Sequence, residues 1–201
     1  MIGFAYKKLL NANSKNTLDI VKLFTNAILE ICEGQALDKS FETIDYVDET
    51  SYLEMISKKT AALIKLACQI GAILGGGNKE QIKILANFGY NIGMGFQIQD
   101  DLLDVIADEN RLGKRIGSDL EMNKKTILTV KLYEKVKKIK LNKSEVYNFK
   151  ELILENGITE SVTQLMNQYF IKAGSLLKLI PDSRYKNILI HLTDYIKNRD
   201  Q

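Results

Sequence analysis

The segment Phe96-Gln97-Ile98-Gln99-Asp100-Asp101-Leu102-Leu103-Asp104-Val105 sets three carboxylates into an otherwise apolar helical pattern. Residues four apart share one helix face, so Asp100 and Asp104 point the same way, with Asp101 about a quarter-turn aside. Like charges at that spacing repel, and a desolvated carboxylate needs a cation or hydrogen-bond donors. Oxygen-rich side chains aimed at one point suit a hard cation. Mg²⁺ takes one or two protein carboxylates and completes its shell with water and substrate phosphate. An exposed acidic helix face is the competing reading of the same residues.

The residues downstream of the aspartates favour the metal. A polar, Gly-bearing stretch from Asp108 to Asn123 carries Leu112-Gly113-Lys114-Arg115-Ile116-Gly117-Ser118-Asp119-Leu120, and Asn123-Lys124-Lys125-Thr126 comes next. Upstream, Lys58-Lys59-Thr60 opens an apolar helix. A metal that bridges carboxylate to phosphate leaves further phosphate charge, which lysines neutralise as point donors. Carboxylates and lysines together make a phosphate-handling constellation.

By these residues the chain resembles the C-terminal two-thirds of a trans-isoprenyl diphosphate synthase, of the polyprenyl synthetase family. The likeness runs from roughly Asn26 to the C-terminus. It takes in Gly34-Gln35 with Asp38, Lys59-Thr60-Ala61, Gly71-Ala72, Gly89 and the aspartate motif with its leading Phe96-Gln97. Gly113-Lys114, Asp119, Lys124 with Thr126, and the close from Ile180-Pro181 through Tyr195-Ile196-Lys197-Asn198-Arg199 continue it. The resemblance implies an all-α isoprenoid-synthase helical bundle, incomplete without its N-terminal helices, with residues 1–201 forming one all-helical domain.

It also implies a reaction. The family condenses an allylic diphosphate with isopentenyl diphosphate, with Mg²⁺ held between two aspartate-rich helices as pyrophosphate departs, the double bond attacks and a proton is lost. On this likeness Asp100 ligates metal directly, with Asp101 and Asp104 supporting directly or through water. Lys59 and Lys114 contact the allylic diphosphate with Lys124 nearby, Thr60 and Gln97 face substrate, and Asp119 orients the lysines. Metal and lysine would stabilise negative charge growing on the leaving group.

Departures from the family pattern matter equally. No DDxxD or DDxxxxD precedes Asp100, and no arginine precedes Arg111, although the family carries a first aspartate motif followed by an arginine pair. Asp45, Asp48 and Glu49 have the wrong spacing to replace it. Met1-Ile2-Gly3-Phe4 falls where a family chain has already passed that motif. The expectation is a split enzyme that is inactive alone and completed by a second polypeptide supplying the missing motif, as a hetero-oligomer or with self-association besides. A regulatory subunit and a fragment of a full-length synthase stand as alternatives. So do two other classes, a terpene-cyclase-like lyase and a helical interaction module. Leu128 replaces the family's usual proline and Asn123 a common glycine; neither removes chemistry.

The elements that must position these residues read as helices throughout. One proline, Pro181, and little β-type alternation leave nothing to support a sheet. Periodicity predicts helices over 17–35, 49–74, 79–107, 124–139, 144–155, 159–179 and 183–198. Gly75-Gly76-Gly77-Asn78 reads as a helix-ending turn, lacking the Lys-Ser/Thr pair of a P-loop. Gly89, Gly93 and Gly95, each costing ~1 kcal/mol in a helix interior, read as close helix packing or as room for a prenyl chain. Ser183 is the expected N-cap of the last helix. Cys32 and Cys68 are expected in the core as free thiols, and His191 at the surface.

Composition excludes other classes. The 201 residues are 45% hydrophobic with a formal net charge of +3. The lysines are scattered rather than striped, which argues against nucleic acid. No apolar run reaches the ~18 residues of a membrane span, and Met1 onward lacks a signal-peptide layout. A reducing cytoplasm fits.

Overall fold

A computed structural model describes residues 2–11, 14–106, 125–136 and 146–199. Its helices are α1 (Ile2–Leu10), α2 (Thr17–Phe41), α3 (Glu49–Ile56), α4 (Ala62–Leu74), α5 (Lys79–Ile106), α6 (Ile127–Val136), α7 (Val146–Glu155), α8 (Ile158–Leu177) and α9 (Arg184–Lys197). A π-helical turn, Ser57–Ala61, joins α3 to α4. No strand occurs among the described residues, so the all-α expectation holds.

The long helix α5 organises the rest, packing chiefly against α8 and α4. Its Phe88, Ile92, Met94, Ile98, Leu102 and Val105 are buried. They meet Ile158, Val162, Met166, Phe170, Ala173 and Leu177 of α8, whose spacing of three or four draws one apolar stripe. Burying each such side chain contributes about 1.5–3 kcal/mol, so this seam fixes α5, and α5 carries the aspartates.

Helix ends follow local chemistry. Asp48 caps α3 by accepting from the Ser51 amide at 2.9 Å, and Ser183 caps α9 by accepting from the Lys186 amide at 3.1 Å. The glycine turn after α4 closes as expected: Gly76, at φ 74°, adopts the left-handed conformation. The Gly76 and Gly77 amides donate to Ile73 O at 3.1 Å and Ala72 O at 2.9 Å.

The structure departs from the periodicity in four places. Helix α1 was not expected. Helix α2 runs past Gln35 to Phe41. The 49–74 helix is interrupted by the π-turn. Cys32 is exposed rather than in the core, while Cys68 is partly buried, and both are free thiols. His191 is exposed, as expected. Among the described residues, no helix is long and apolar enough to cross a membrane.

Candidate functional site

Two glycines seat the lysine motif. A Cβ on Gly34 of α2 would stand 2.4 Å from the Lys59 amide nitrogen, and one on Gly93 of α5 would stand 2.5 Å from Ala61 Cα. The π-turn is thereby held between α2 and α5, each helix approaching it through a residue with no side chain. A Cβ on Gly89 would meet Ile64 O at 2.6 Å, and one on Gly95 the Phe170 ring at 3.0 Å. Of the two readings of these glycines, close packing is the one the contacts display. A π-turn adds one residue to a helical turn and so re-aims the side chains within it; such turns recur at functional sites.

From this turn Lys59 Nζ donates to Asp38 Oδ2 of α2 at 2.6 Å. Thr60 Oγ1 donates to Gln97 Oε1 at 2.7 Å. Gln97 Nε2 in turn donates to Asp101 Oδ1 at 3.2 Å, one helical turn along α5. The other oxygen of Asp101, Oδ2, accepts from the Tyr52 hydroxyl of α3 and, at 3.0 Å, from the Ile127 amide that opens α6. The structure thus joins Thr60, Gln97 and Asp101 through their side chains, with neighbouring Lys59 turned to Asp38.

The three aspartates are not equivalent. Asp101 is buried, whereas the Asp100 side chain is 42% exposed and Asp104 is partly exposed. Asp100 and Asp104 share the outward face. Arg199, just beyond α9, pairs with Asp100 Oδ1 and lays its guanidinium 4.2 Å from the centre of the Phe96 ring. Among the described residues its buried Nε has no hydrogen-bond partner. Gln99 Nε2 donates to Lys197 O at 2.9 Å, tying the end of α9 to the same stretch of α5.

Beyond the aspartates, Lys114, Asp119 and Lys124 lie outside the described residues. Lys125 is half-buried, and burial pushes its ammonium below the ordinary lysine value while the Asp45 carboxylate opposes the shift. Thr126 and Thr129 cap α6 reciprocally, each amide donating to the other's hydroxyl at 2.9 and 3.3 Å. Leu128 is fully buried.

The donor set suits a hard cation bound on one side only. Two carboxylates lie one helical turn apart, and Asp100 already accepts a cation in the guanidinium of Arg199. Among the described residues, no group of three acidic, cysteine or histidine side chains is disposed to hold a metal by itself. A metal here would complete its shell with water and phosphate.

Sequence reasoning passed over Tyr52 and the pairing of Arg199 with Asp100. Tyr52 sits in an apolar stripe and reads as core. The four-residue step from Gln97 to Asp101 was the available signal, since it puts both on one side of α5.

Comparison with known proteins bears on the family and the fold. The family model described as Polyprenyl synthetase matches residues 1–165. A short chain isoprenyl diphosphate synthase of Methanothermobacter thermautotrophicus is 35% identical over 200 residues, 94% of this chain and 62% of that protein. A geranylgeranyl diphosphate synthase of Methanosarcina mazei is 36% identical over 91% of this chain and 58% of its own length. The solved geranylgeranyl pyrophosphate synthetase of the archaeon Geoglobus acetivorans superposes with a TM-score of 0.88 at 34% identity, covering 97% of this chain and 62% of that one. The chain therefore spans about three-fifths of the length of these relatives. The match reaches further upstream than Asn26, where the sequence likeness begins.

Proposed function

We propose, from the premise that this chain belongs to the polyprenyl synthetase family, that it carries one half of an Mg²⁺-dependent prenyltransferase site. The reaction joins an allylic diphosphate to isopentenyl diphosphate and releases pyrophosphate. The observation that carries this reading is the hydrogen-bonded chain from Thr60 through Gln97 to Asp101, which ties the turn bearing Lys59 to the helix bearing Asp100 and Asp104. The names of the relatives support it.

Asp100 and Asp104 would hold the metal. Bound there, Mg²⁺ supplies charge neutralisation to the diphosphate oxygens. Lys59, released from Asp38, donates to the diphosphate as its C–O bond lengthens and negative charge gathers on the leaving group. Thr60 and Gln97, locked together, present a fixed polar edge to the substrate. Lys114 and Lys124 add to the same anion, with Asp119 orienting them.

A second polypeptide is part of this reading. Two outward carboxylates from one helix suit half of a metal clamp. The rest of the clamp would come from a partner bearing an aspartate-rich helix. Two free thiols fit a reducing cytoplasm. The test is Mg²⁺-dependent turnover of radiolabelled isopentenyl diphosphate with allylic diphosphates, using the purified chain alone and mixed with such a partner. Turnover only in the mixture, lost on Asp100→Ala, is the expected result. Turnover by the chain alone would remove the need for a partner. Turnover by the mixture that survives Asp100→Ala would remove Asp100 from the site.

A further inference from the structure

We infer that Asp101 is the anchor of this site rather than one of its metal ligands, and that Tyr52 is the positioning residue that holds it in place. The inference rests on the prenyltransferase reading and divides the labour within its aspartate motif.

Asp101 is 5% exposed, and among the described residues its two oxygens take donors from three different elements. The Tyr52 hydroxyl comes from α3, the Ile127 amide from α6, and Gln97 Nε2 from α5 itself. A buried carboxylate is retained only where donors satisfy it, and removing one partner leaves an uncompensated charge. Ligating a metal through Oδ2 would draw Asp101 away from the phenol and the amide, and ligating through Oδ1 would draw it away from Gln97, the residue that holds Thr60. The geometry favours leaving it where it is.

Its hold is transmitted in two directions. Through Gln97 it fixes an amide: Nε2 is committed to Asp101, so Oε1 faces the π-turn and accepts from Thr60. Thr60 is consequently oriented by a carboxylate it does not touch. Through the Ile127 amide the same carboxylate sets where the chain returns at α6, two residues after Lys125. Tyr52 brings α3 into this network, and its ring is 1% exposed, so packing fixes the direction in which its hydroxyl points.

The donor–acceptor order supplies the test. Asp101→Asn would present an amide nitrogen to Gln97 Nε2, donor against donor. Gln97→Glu added to it restores an acceptor there and keeps the total charge, while leaving an oxygen for Thr60. Four variants would be compared on the full chain: Tyr52→Phe, Asp101→Asn, Asp101→Asn with Gln97→Glu, and Asp100→Asn. The readouts are the melting temperature, affinity for Mn²⁺ alone, and affinity for inorganic pyrophosphate with Mg²⁺.

Asp100→Asn should weaken Mn²⁺ binding by about tenfold or more, whereas Tyr52→Phe and Asp101→Asn stay within about threefold of the parent. Pyrophosphate affinity should fall by about tenfold in Tyr52→Phe and Asp101→Asn. The double variant should recover the melting temperature lost in Asp101→Asn. Loss of Mn²⁺ in Asp101→Asn equal to that in Asp100→Asn would make Asp101 a ligand and overturn the inference. A double variant that stays unstable would overturn the anchor. A Tyr52→Phe protein that melts earlier but binds pyrophosphate like the parent would reduce Tyr52 to packing. If the parent binds neither Mn²⁺ nor pyrophosphate, the prenyltransferase reading fails, and the anchor is then judged by the melting temperatures alone.

Discussion

The ion pair between Asp100 and Arg199 places a guanidinium on the carboxylate expected to take Mg²⁺. Two cations cannot share one oxygen without repulsion, so a tethered arginine competes with a metal for Asp100. The competition is modest: the Asp100 and Arg199 side chains are 42% and 23% exposed, and pairs open to water contribute at most about 1 kcal/mol. Arg199→Gln should therefore tighten Mn²⁺ binding by up to about fivefold at low ionic strength. The gain should shrink as salt screens the pair. Isothermal titration at two salt concentrations reads both effects; a loss of affinity would show that Arg199 supports the metal rather than opposing it. Asp100 and Lys59 could be singled out in the sequence because a carboxylate cluster and a lysine pair are local patterns, whereas Gln97 entered through the family likeness. The pairing with Arg199 was not legible, because it joins residues 99 apart in the chain. The inward turn of Asp101 was half-legible: helical spacing gave its angle but not which side of α5 would be buried.

At the level of elements, helical periodicity and capping chemistry placed most helices, because both are written in neighbouring residues. The π-turn was invisible for the opposite reason. It exists where α2 and α5 press on the chain through Gly34 and Gly93, and neither contact is local. Gly34 entered the sequence reading only as part of the family likeness, and the structure makes it a point of closest approach. Gly34→Ala would drive a Cβ to 2.4 Å from the Lys59 amide nitrogen, backbone that has no rotamer with which to yield. Overpacking of that kind costs about 1–3 kcal/mol, which lowers the melting temperature by roughly 3–10 °C in a protein of this size. The site should suffer with it, since Lys59 and Thr60 must move. Gly71 of α4 is the control. Nothing lies within 4 Å of its missing Cβ, so Gly71→Ala should stabilise the helix by about 0.5–1 kcal/mol. Equal melting shifts in the two variants would mean that helix propensity, not the close approach, governs Gly34.

For the molecule as a whole, the motifs announced the family because many spaced residues agree with one another. What covers the remaining surface was not legible, since a helix with two apolar faces looks the same whether its second face meets water or protein. Helix α9 is such a helix. Leu189, Thr193 and Ile196 turn toward the body of the protein. Tyr185, Ile188, Leu192 and Tyr195 recur at helical spacing on another side and are 77%, 50%, 47% and 74% exposed. A contiguous apolar stripe of this kind marks a surface that associates. At tens of micromolar the chain should sediment as a species heavier than its own 22.8 kDa. Ile188→Lys combined with Leu192→Lys should return it to that mass without altering its far-ultraviolet circular dichroism. A monomeric parent would show that the stripe stays in water. The same double variant separates self-association from completion of the site. If the stripe is where a clamp-bearing partner docks, the variant fails to gain turnover in the mixed assay; if it joins only copies of this chain, the monomer is activated as fully as the parent.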